Sequence, residues 1–377
     1  MGDYTFENLT VNPHDYDIVV CDRNFKERGP HILRLGYRDA KSYILEHHKT
    51  QNILYVVTGS PLFYSAGILL ARQLPDGAVT LIDNTSSMSY LLSHLRLPQQ
   101  ETLSLSLHGR DRIDLRRFLV ERYTFVLCDV HSLERIARAT RYLEPGDITI
   151  TLGYKLGYPD EWIGVVGPEH LPEFFDPAQP HVVLIERRFD PPSPVSPDEA
   201  FATERGMITK HYKRHLSLQR LDLGSNQTLW DVGAGSGSIA IAAYTRYRVR
   251  TVLFEKQPKR CSYIRENLAK HRVCDTELLE GEAQMLFEQV TADPDRIFVG
   301  GGGEAVIARL PYLYDRLTPG GILLINAITL KNLTQMIGVL SDAQIPYEVI
   351  SLSLTTYKGS LDMIEPERQL FQIRAVK

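Results

Sequence analysis

Leu229-Trp230-Asp231-Val232-Gly233-Ala234-Gly235-Ser236-Gly237-Ser238-Ile239-Ala240-Ile241 reads as an apolar strand, a Gly-x-Gly-x-Gly turn and the opening of a helix. Glycine lets the backbone turn tightly and come close to a ligand. The start of a helix adds N–H groups that have no partner within it. Taken alone the turn is a weak signal, because dinucleotide enzymes use similar loops and a turn without a ligand is equally compatible. The residues that follow narrow it. Glu255 ends the next apolar run, Thr251-Val252-Leu253-Phe254-Glu255, where a carboxylate suits the two vicinal hydroxyls of a ribose. A third run ends in Gly281-Glu282-Ala283, a place where an adenine can sit. A fourth ends in Phe298-Val299-Gly300-Gly301-Gly302-Gly303, and Leu317-Thr318-Pro319-Gly320-Gly321 turns into a fifth.

Working outward, strands are expected at 229–232, 249–255, 277–280, 296–299 and 321–326. Helical patterns lie between them at 238–247, 257–271, 303–316 and 331–343, and 347–354 and 370–376 form a closing strand pair. Strand–helix alternation with short connections implies a parallel sheet covered on both faces. Upstream, Asp190-Pro191-Pro192-Ser193-Pro194-Val195-Ser196-Pro197-Asp198 cannot continue a helix or a sheet interior and reads as a stiff linker. Before it, strands are expected at 17–21, 53–57, 79–82, 125–127, 148–152 and 181–185, and helices at 66–73 and 132–142. The expected organisation is a domain over 1–189, a linker over 190–198 and a second domain over 199–377.

Bulk properties exclude several classes. The chain has 377 residues and a formal charge of −4, so no global basic field recruits nucleic acid or an anionic membrane. Cys21, Cys128, Cys261 and Cys274 are scattered, and the histidines show no metal spacing, so no metal is expected. The thiols are expected to be reduced, as in a cytoplasmic protein. No basic start followed by an apolar run marks a signal peptide, and no stretch approaches a membrane span.

The glycine order is Gly-x-Gly-x-Gly rather than Gly-x-Gly-x-x-Gly, with Asp231 ahead of it. Together with the three strand ends and the turn into a fifth strand that follow, it resembles the class I methyltransferases, a Rossmann-like fold with a mostly parallel seven-stranded sheet. The resemblance implies S-adenosyl-L-methionine as cofactor. It implies contacts from Asp231, Gly233, Ala234, Gly235, Ser236, Gly237, Glu255, Gly281, Glu282 and Ala283, and from Thr209 upstream. Gly206-Met207-Ile208-Thr209-Lys210 and Asn326-Ala327-Ile328-Thr329-Leu330 narrow it further. With the glycine segments they resemble the C-terminal domain of the precorrin-6Y C5,15-methyltransferase (decarboxylating) family.

The N-terminal half supports the same family. Thr58-Gly59-Ser60-Pro61-Leu62-Phe63-Tyr64-Ser65 resembles the SGDPxFY loop of tetrapyrrole methylases, and Asn84-Thr85-Ser86-Ser87 stands where they often have PGxSS. Ser104-Leu105-Ser106-Leu107-His108-Gly109-Arg110 and Leu156-Gly157-Tyr158-Pro159-Asp160-Glu161 look like two further segments of that fold. The resemblance implies C-methylation of a precorrin at meso carbon C15, with C5 as a second position. It also implies decarboxylation of the ring C acetate, in cobalamin biosynthesis. Some residues depart from the pattern. No apolar strand with a GxGPG loop precedes Asp17, Ser60 replaces the aspartate of SGDP, and Asp83-Asn84 replaces a Pro-Gly. Tyr212-Lys213-Arg214 stands where the family often has Glu-Val-Arg. The N-terminal domain is therefore expected to be a truncated α/β tetrapyrrole methylase-like domain. Its methyl transfer is expected to be reduced or lost, leaving substrate handling or assembly.

The implied substrate is a reduced, carboxylate-rich tetrapyrrole, a precorrin or cobalt-precorrin, and the family implies self-association. Lys210, Lys213, Arg214 and His215 form a basic cluster that is either a solvated helix face or a dock for its carboxylates. Gly301 and Gly302 could keep side chains off a flat macrocycle, and Asn326, Tyr64 and His108 are further candidate substrate contacts. No residue announces itself as catalytic. Methyl transfer requires alignment, exclusion of water and fixed charge more than covalent help. Two rival readings stand beside this one. A class I RNA methyltransferase is opposed by Phe298-Val299-Gly300-Gly301 where an NPPY-type motif would stand, and a non-enzymatic tetrapyrrole scaffold is opposed by the complete glycine turn.

Overall fold

The computed structural model describes residues 5–7, 9–167, 170–194, 196–301, 303–358 and 363–377. The chain forms two compact units. The first comprises Met1–Arg112, Glu121–Glu134 and Thr149–Arg187, and the second Ile113–Val120, Arg135–Ile148 and Arg188–Lys377.

The first unit opens with strands β1 (Ile18–Cys21), β2 (Ile32–Arg34) and β3 (Ile53–Val56), a parallel sheet in the order β2-β1-β3. Helix α1 (Tyr37–His47) lies between β2 and β3 in the chain, and helices α2 (Ala66–Ala71) and α3 (Ser87–Leu95) follow β3. Strands β4 (Thr102–Ser106), β5 (Tyr123–Leu127), β6 (Ile148–Tyr154), β7 (Trp162–Val166) and β8 (His181–Arg187) make a five-stranded sheet ordered β4-β5-β8-β6-β7. Helix α4 (Ser132–Thr140) lies between β5 and β6 in the chain and from Arg135 onward belongs to the second unit. Two sequence expectations change. Residues 79–82 are not a strand, and Val79, Leu81 and Ile82 are exposed. The apolar pattern is present, but a strand needs a neighbour to take its backbone hydrogen bonds, and among the described residues no strand pairs with it. Conversely β2, β4, β7, α1 and α3 were not read from the sequence; β2 and β7 are short runs without buried alternation.

The second unit carries the glycine turn. Helix α5 (His211–Leu221) precedes strand β9 (Thr228–Val232). Helix α6 (Ser238–Tyr247), β10 (Arg250–Glu255), helix α7 (Pro258–Lys270) and β11 (Thr276–Glu280) come next. Short helix α8 (Ala283–Leu286), β12 (Arg296–Val299), helices α9 (Gly303–Ile307) and α10 (Leu310–Arg316), β13 (Ile322–Ala327) and helix α11 (Leu330–Asp342) follow. Strands β14 (Tyr347–Leu352), β15 (Thr355–Lys358), β16 (Met363–Pro366) and β17 (Leu370–Val376) complete it. The sheet has seven strands in the order β11-β10-β9-β12-β13-β17-β14. β11 to β13 run parallel, and β17 is antiparallel to both its neighbours. This is the mostly parallel seven-stranded α/β architecture expected from the sequence. The chain order reverses between β9 and β12, and the glycine turn sits at that switch point, where ligands bind open α/β sheets.

Local chemistry explains the elements. β9 is buried along its whole length because helices cover both faces of a parallel sheet. α6 carries Ile239-Ala240-Ile241-Ala242-Ala243 and is buried on almost every side, so small residues let it sit close to β9 and β10. The expected single helix over 303–316 is two, because Pro311 in the first turn of α10 lacks an N–H and cannot continue α9. The hairpin of β15 and β16 was not expected. Trp230, Phe254 and Phe287 close the core under the site, with ring centroids 5.4 Å and 5.2 Å apart along the series. Burying each such ring contributes roughly 2–3 kcal/mol. The linker residues 190–194 and 196–197 carry no helix or strand, and Val195 lies outside the described residues. Among the described residues no helix is long and apolar enough to cross a membrane.

Candidate active site

The site is a cleft at the carboxyl ends of β9, β10, β11 and β12. Gly233, Phe254, Glu255, Lys256, Arg260, Gly281, Glu282, Ala283, Gln284, Gly300, Gly301 and Val306 line it. The turn after β9 is pinned from beneath, where the N–H groups of Gly233 and Ala234 both donate to the Phe254 carbonyl, at 3.0 and 3.1 Å. Gly233, Gly235 and Gly237 all have positive φ. At Gly233 a second demand applies, because a Cβ there would lie 2.9 Å from the backbone of Gly301. Two strand-end loops thus meet backbone to backbone, leaving an open cradle between them. Gly237 is used differently. It does not line the cleft, and a Cβ on it would crowd Leu253 and Ile264 beneath the turn.

Glu255 is almost fully buried and faces the same cleft. One carboxylate oxygen accepts from the Gly235 N–H at 2.9 Å, and the other from the N–H groups of Lys256 and Gln257 at 3.0 Å. A carboxylate has about four lone-pair sites, so three backbone bonds fix its orientation and leave capacity for a ligand hydroxyl. Gly281, whose N–H donates to the Glu255 carbonyl, leads Glu282 and Ala283 along the opposite wall. Asp231 is buried behind the turn and does not line the cleft; its carboxylate accepts from the Ala240 N–H at 3.2 Å. Burial pushes this carboxyl up to about 7, the Ala240 bond opposes the rise and the Glu255 charge adds to it. Ser236 is also buried, and its carbonyl accepts from Asn267.

The candidate substrate residues are placed unevenly. Gly301 lines the cleft, with open space where a side chain would be, and Gly302 lies outside the described residues. Lys210 is half exposed at the start of α5, 3.8 Å from Asp198. Arg214 corrects the sequence reading. It is 1% exposed, and its guanidinium donates to Asp198 at 3.0 Å, the Thr209 carbonyl at 2.8 Å and the Ser196 carbonyl at 2.7 Å. A side chain so engaged cannot dock a substrate carboxylate; the helical spacing that placed it beside Lys213 turned it inward. Lys213 is likewise paired, with Glu367 at 2.8 Å, and His215 lies beside Arg246. The Thr209 side chain does not cap α5, and Asn326 accepts from Gln372, which also donates to Ser217. In the first unit the Tyr64 hydroxyl donates to the Ser104 carbonyl at 2.9 Å, and His108 is exposed.

Lys256, Arg260 and Gln284 line the cleft and were missed by the sequence reading. Their signal was present: each lies within the first turn after a strand end already singled out. Among the described residues no group of three or more His, Cys, Asp or Glu side chains is placed to hold a metal ion. Sheet order, switch-point turn and strand-end carboxylate together define a methyltransferase-type α/β unit with a cleft at its strand ends.

Comparison with known proteins agrees with that class and narrows it. Residues 199–377 match the family described as precorrin methyltransferase domain, and residues 13–168 match the tetrapyrrole (corrin/porphyrin) methylases. A Mycobacterium tuberculosis precorrin-6Y C(5,15)-methyltransferase [decarboxylating] is 30% identical over 281 residues, 74% of this chain and 70% of that protein. A Sinorhizobium protein of the same name is 28% identical over 306 residues, 77% of this chain and 70% of its own length. A Salmonella typhimurium cobalt-precorrin-6B C(15)-methyltransferase (decarboxylating) is 29% identical over 185 residues, 48% of this chain and 95% of its own. The chain belongs to the precorrin-6Y C5,15-methyltransferase (decarboxylating) family.

Proposed function

We propose that residues 199–377 methylate a precorrin at meso carbon C15 with S-adenosylmethionine and drive loss of the ring C acetate carboxyl, in cobalamin biosynthesis. The cleft carrying the Gly233 cradle and the Glu255 carboxylate is the observation that supports this most. Bound there, S-adenosylmethionine supplies an electrophilic methyl carbon on a positively charged sulfur. The residues fit such a group. Glu255, held by the Gly235 N–H, would accept from the ribose hydroxyls, Gly281, Glu282 and Ala283 would flank the adenine, and Gly233 would follow the chain leading to the sulfur. Gly301 leaves room for a flat macrocycle to approach. Of the α5 cluster, Lys210 is the half-exposed cation, at 3.8 Å from Asp198, that could exchange that loose pairing for a substrate carboxylate. The enzyme's own task is to align the macrocycle carbon with the methyl group and keep water away from the acetate carboxylate.

In the first unit Ser60 stands where the family has an aspartate, and its hydroxyl donates to Asp83. We assign that unit to substrate handling rather than methyl transfer. Incubation of the full chain with the tetrapyrrole intermediate and labelled cofactor, followed by mass analysis, tests the assignment. One methyl gained and one carbon dioxide lost is the expected result. Two methyls gained would show that both units transfer, and an unchanged tetrapyrrole would remove the proposal.

A further inference from the structure

A segment ahead of the sheet, residues 196–210, is folded into a closed loop. The Arg214 guanidinium clasps both of its ends, Ser196 and Asp198 on one side and Thr209 on the other. The same guanidinium lies 4.9 Å over the ring of Phe201, which stacks on His271 at 4.7 Å. The middle of the loop is tied elsewhere. Asn267, on α7 and fully buried, donates to the Ala202 carbonyl at 2.9 Å and accepts from the Ala202 N–H at 2.8 Å. Its amide also donates to the Ser236 carbonyl of the glycine turn at 2.9 Å. One carboxamide therefore joins the loop to the turn. Beyond Ala202, Glu204 pairs with Lys259 and Arg260 at 3.6 and 3.3 Å, and Arg260 lines the cleft. The loop tip at Arg205 and Gly206 has positive φ and is exposed, and the Met207 sulfur lies 3.9 Å from the Arg260 guanidinium.

We propose that Asn267 and Glu204 are positioning residues for the methyltransferase site: they hold the 196–210 loop against the glycine turn and against Arg260, and so fix the shape of the cofactor cleft. This rests on S-adenosylmethionine occupying that cleft. Neither residue touches the reacting atoms. Asn267 acts through Ser236, and Glu204 through Arg260. A purely structural bond would affect stability alone. A positioning bond also sets affinity, because ordering the cleft before the ligand arrives removes a cost of binding.

The full-length protein and its Asn267→Ala and Glu204→Ala variants are titrated with S-adenosylhomocysteine, and each is digested with trypsin with and without that ligand. The wild type should bind, and the ligand should slow cleavage after Arg205. In both variants Kd should rise about tenfold, as expected when preorganisation is lost, and protection at Arg205 should disappear. Glu204 is only partly buried, so its variant retains the core and decides the matter if Asn267→Ala does not fold. Wild-type affinity and protection in the folded variants would overturn this inference and leave the cofactor assignment standing. A wild type that does not bind would overturn the cofactor assignment and this inference with it.

Discussion

Asp231 occupies the site's least comfortable position, a carboxyl with a single backbone donor and no cation beside it among the contacts described. Burial favours its neutral form, so the folded protein holds a proton up to about pH 7 that the unfolded chain releases near its usual carboxylate value of 3.8. The folded state binds more protons between these values. Its stability from this group is therefore complete below the unfolded value and is lost as pH rises toward 7. Asp231→Asn removes that loss. Melting curves of both proteins without cofactor, from pH 4.5 to 8, should show the variant gaining Tm over the wild type up to about pH 7 and holding the gain above it. Parallel Tm profiles would show that Asp231 stays ionised throughout. Glu255 makes a contrast. It is equally enclosed yet accepts from three backbone N–H groups, so its geometry is fixed before any ligand arrives.

At the scale of elements, the cleft is made by where strands stop. β9 and β12 are neighbours in the sheet, so the loops leaving their carboxyl ends meet, and Gly233 and Gly301 are the point of contact. Gly233→Ala meets two obstacles, a φ of +74° and a Cβ 2.9 Å from the Gly301 backbone. A left-handed backbone alone costs a residue with a side chain about 1 kcal/mol, and the displaced loop adds to it. Gly233→Ala should weaken S-adenosylhomocysteine binding by about tenfold or more, because the preformed cradle is displaced, while Tm falls only a few degrees. Calorimetric titration beside a thermal melt checks both; unchanged affinity would mean the cradle is not the binding surface. The same logic accounts for residues 79–82. Their apolar pattern suits a strand, but strand identity belongs to a pair, and among the described residues no strand pairs with them.

For the whole molecule, the two units carry different shares of the site chemistry. The second has a complete turn, carboxylate and cleft. In the first, the Ser60 hydroxyl is engaged with Asp83 and Gly59 has positive φ. Calorimetric titration of the full chain with S-adenosylhomocysteine should give one site per chain, and Glu255→Ala should remove it. Two sites, or one that survives Glu255→Ala, would place cofactor binding in the first unit as well.

The sequence by itself determined the architecture of the second unit and the main outline of its cleft. Strand–helix periodicity, a glycine turn and an acidic strand end are local patterns that each report one kind of backbone geometry. It also carried the family through motifs spread over both units. Only the tertiary structure decided which polar side chains face the cleft and which hold the framework. Arg214, Asn267 and Ser236 earn their places through partners 5 to 65 residues away in the chain. Burial and hydrogen-bond partnership are properties of the packed molecule: a basic helix face reads the same on paper whether its guanidinium meets a substrate carboxylate or, as in Arg214, Asp198 and two backbone carbonyls.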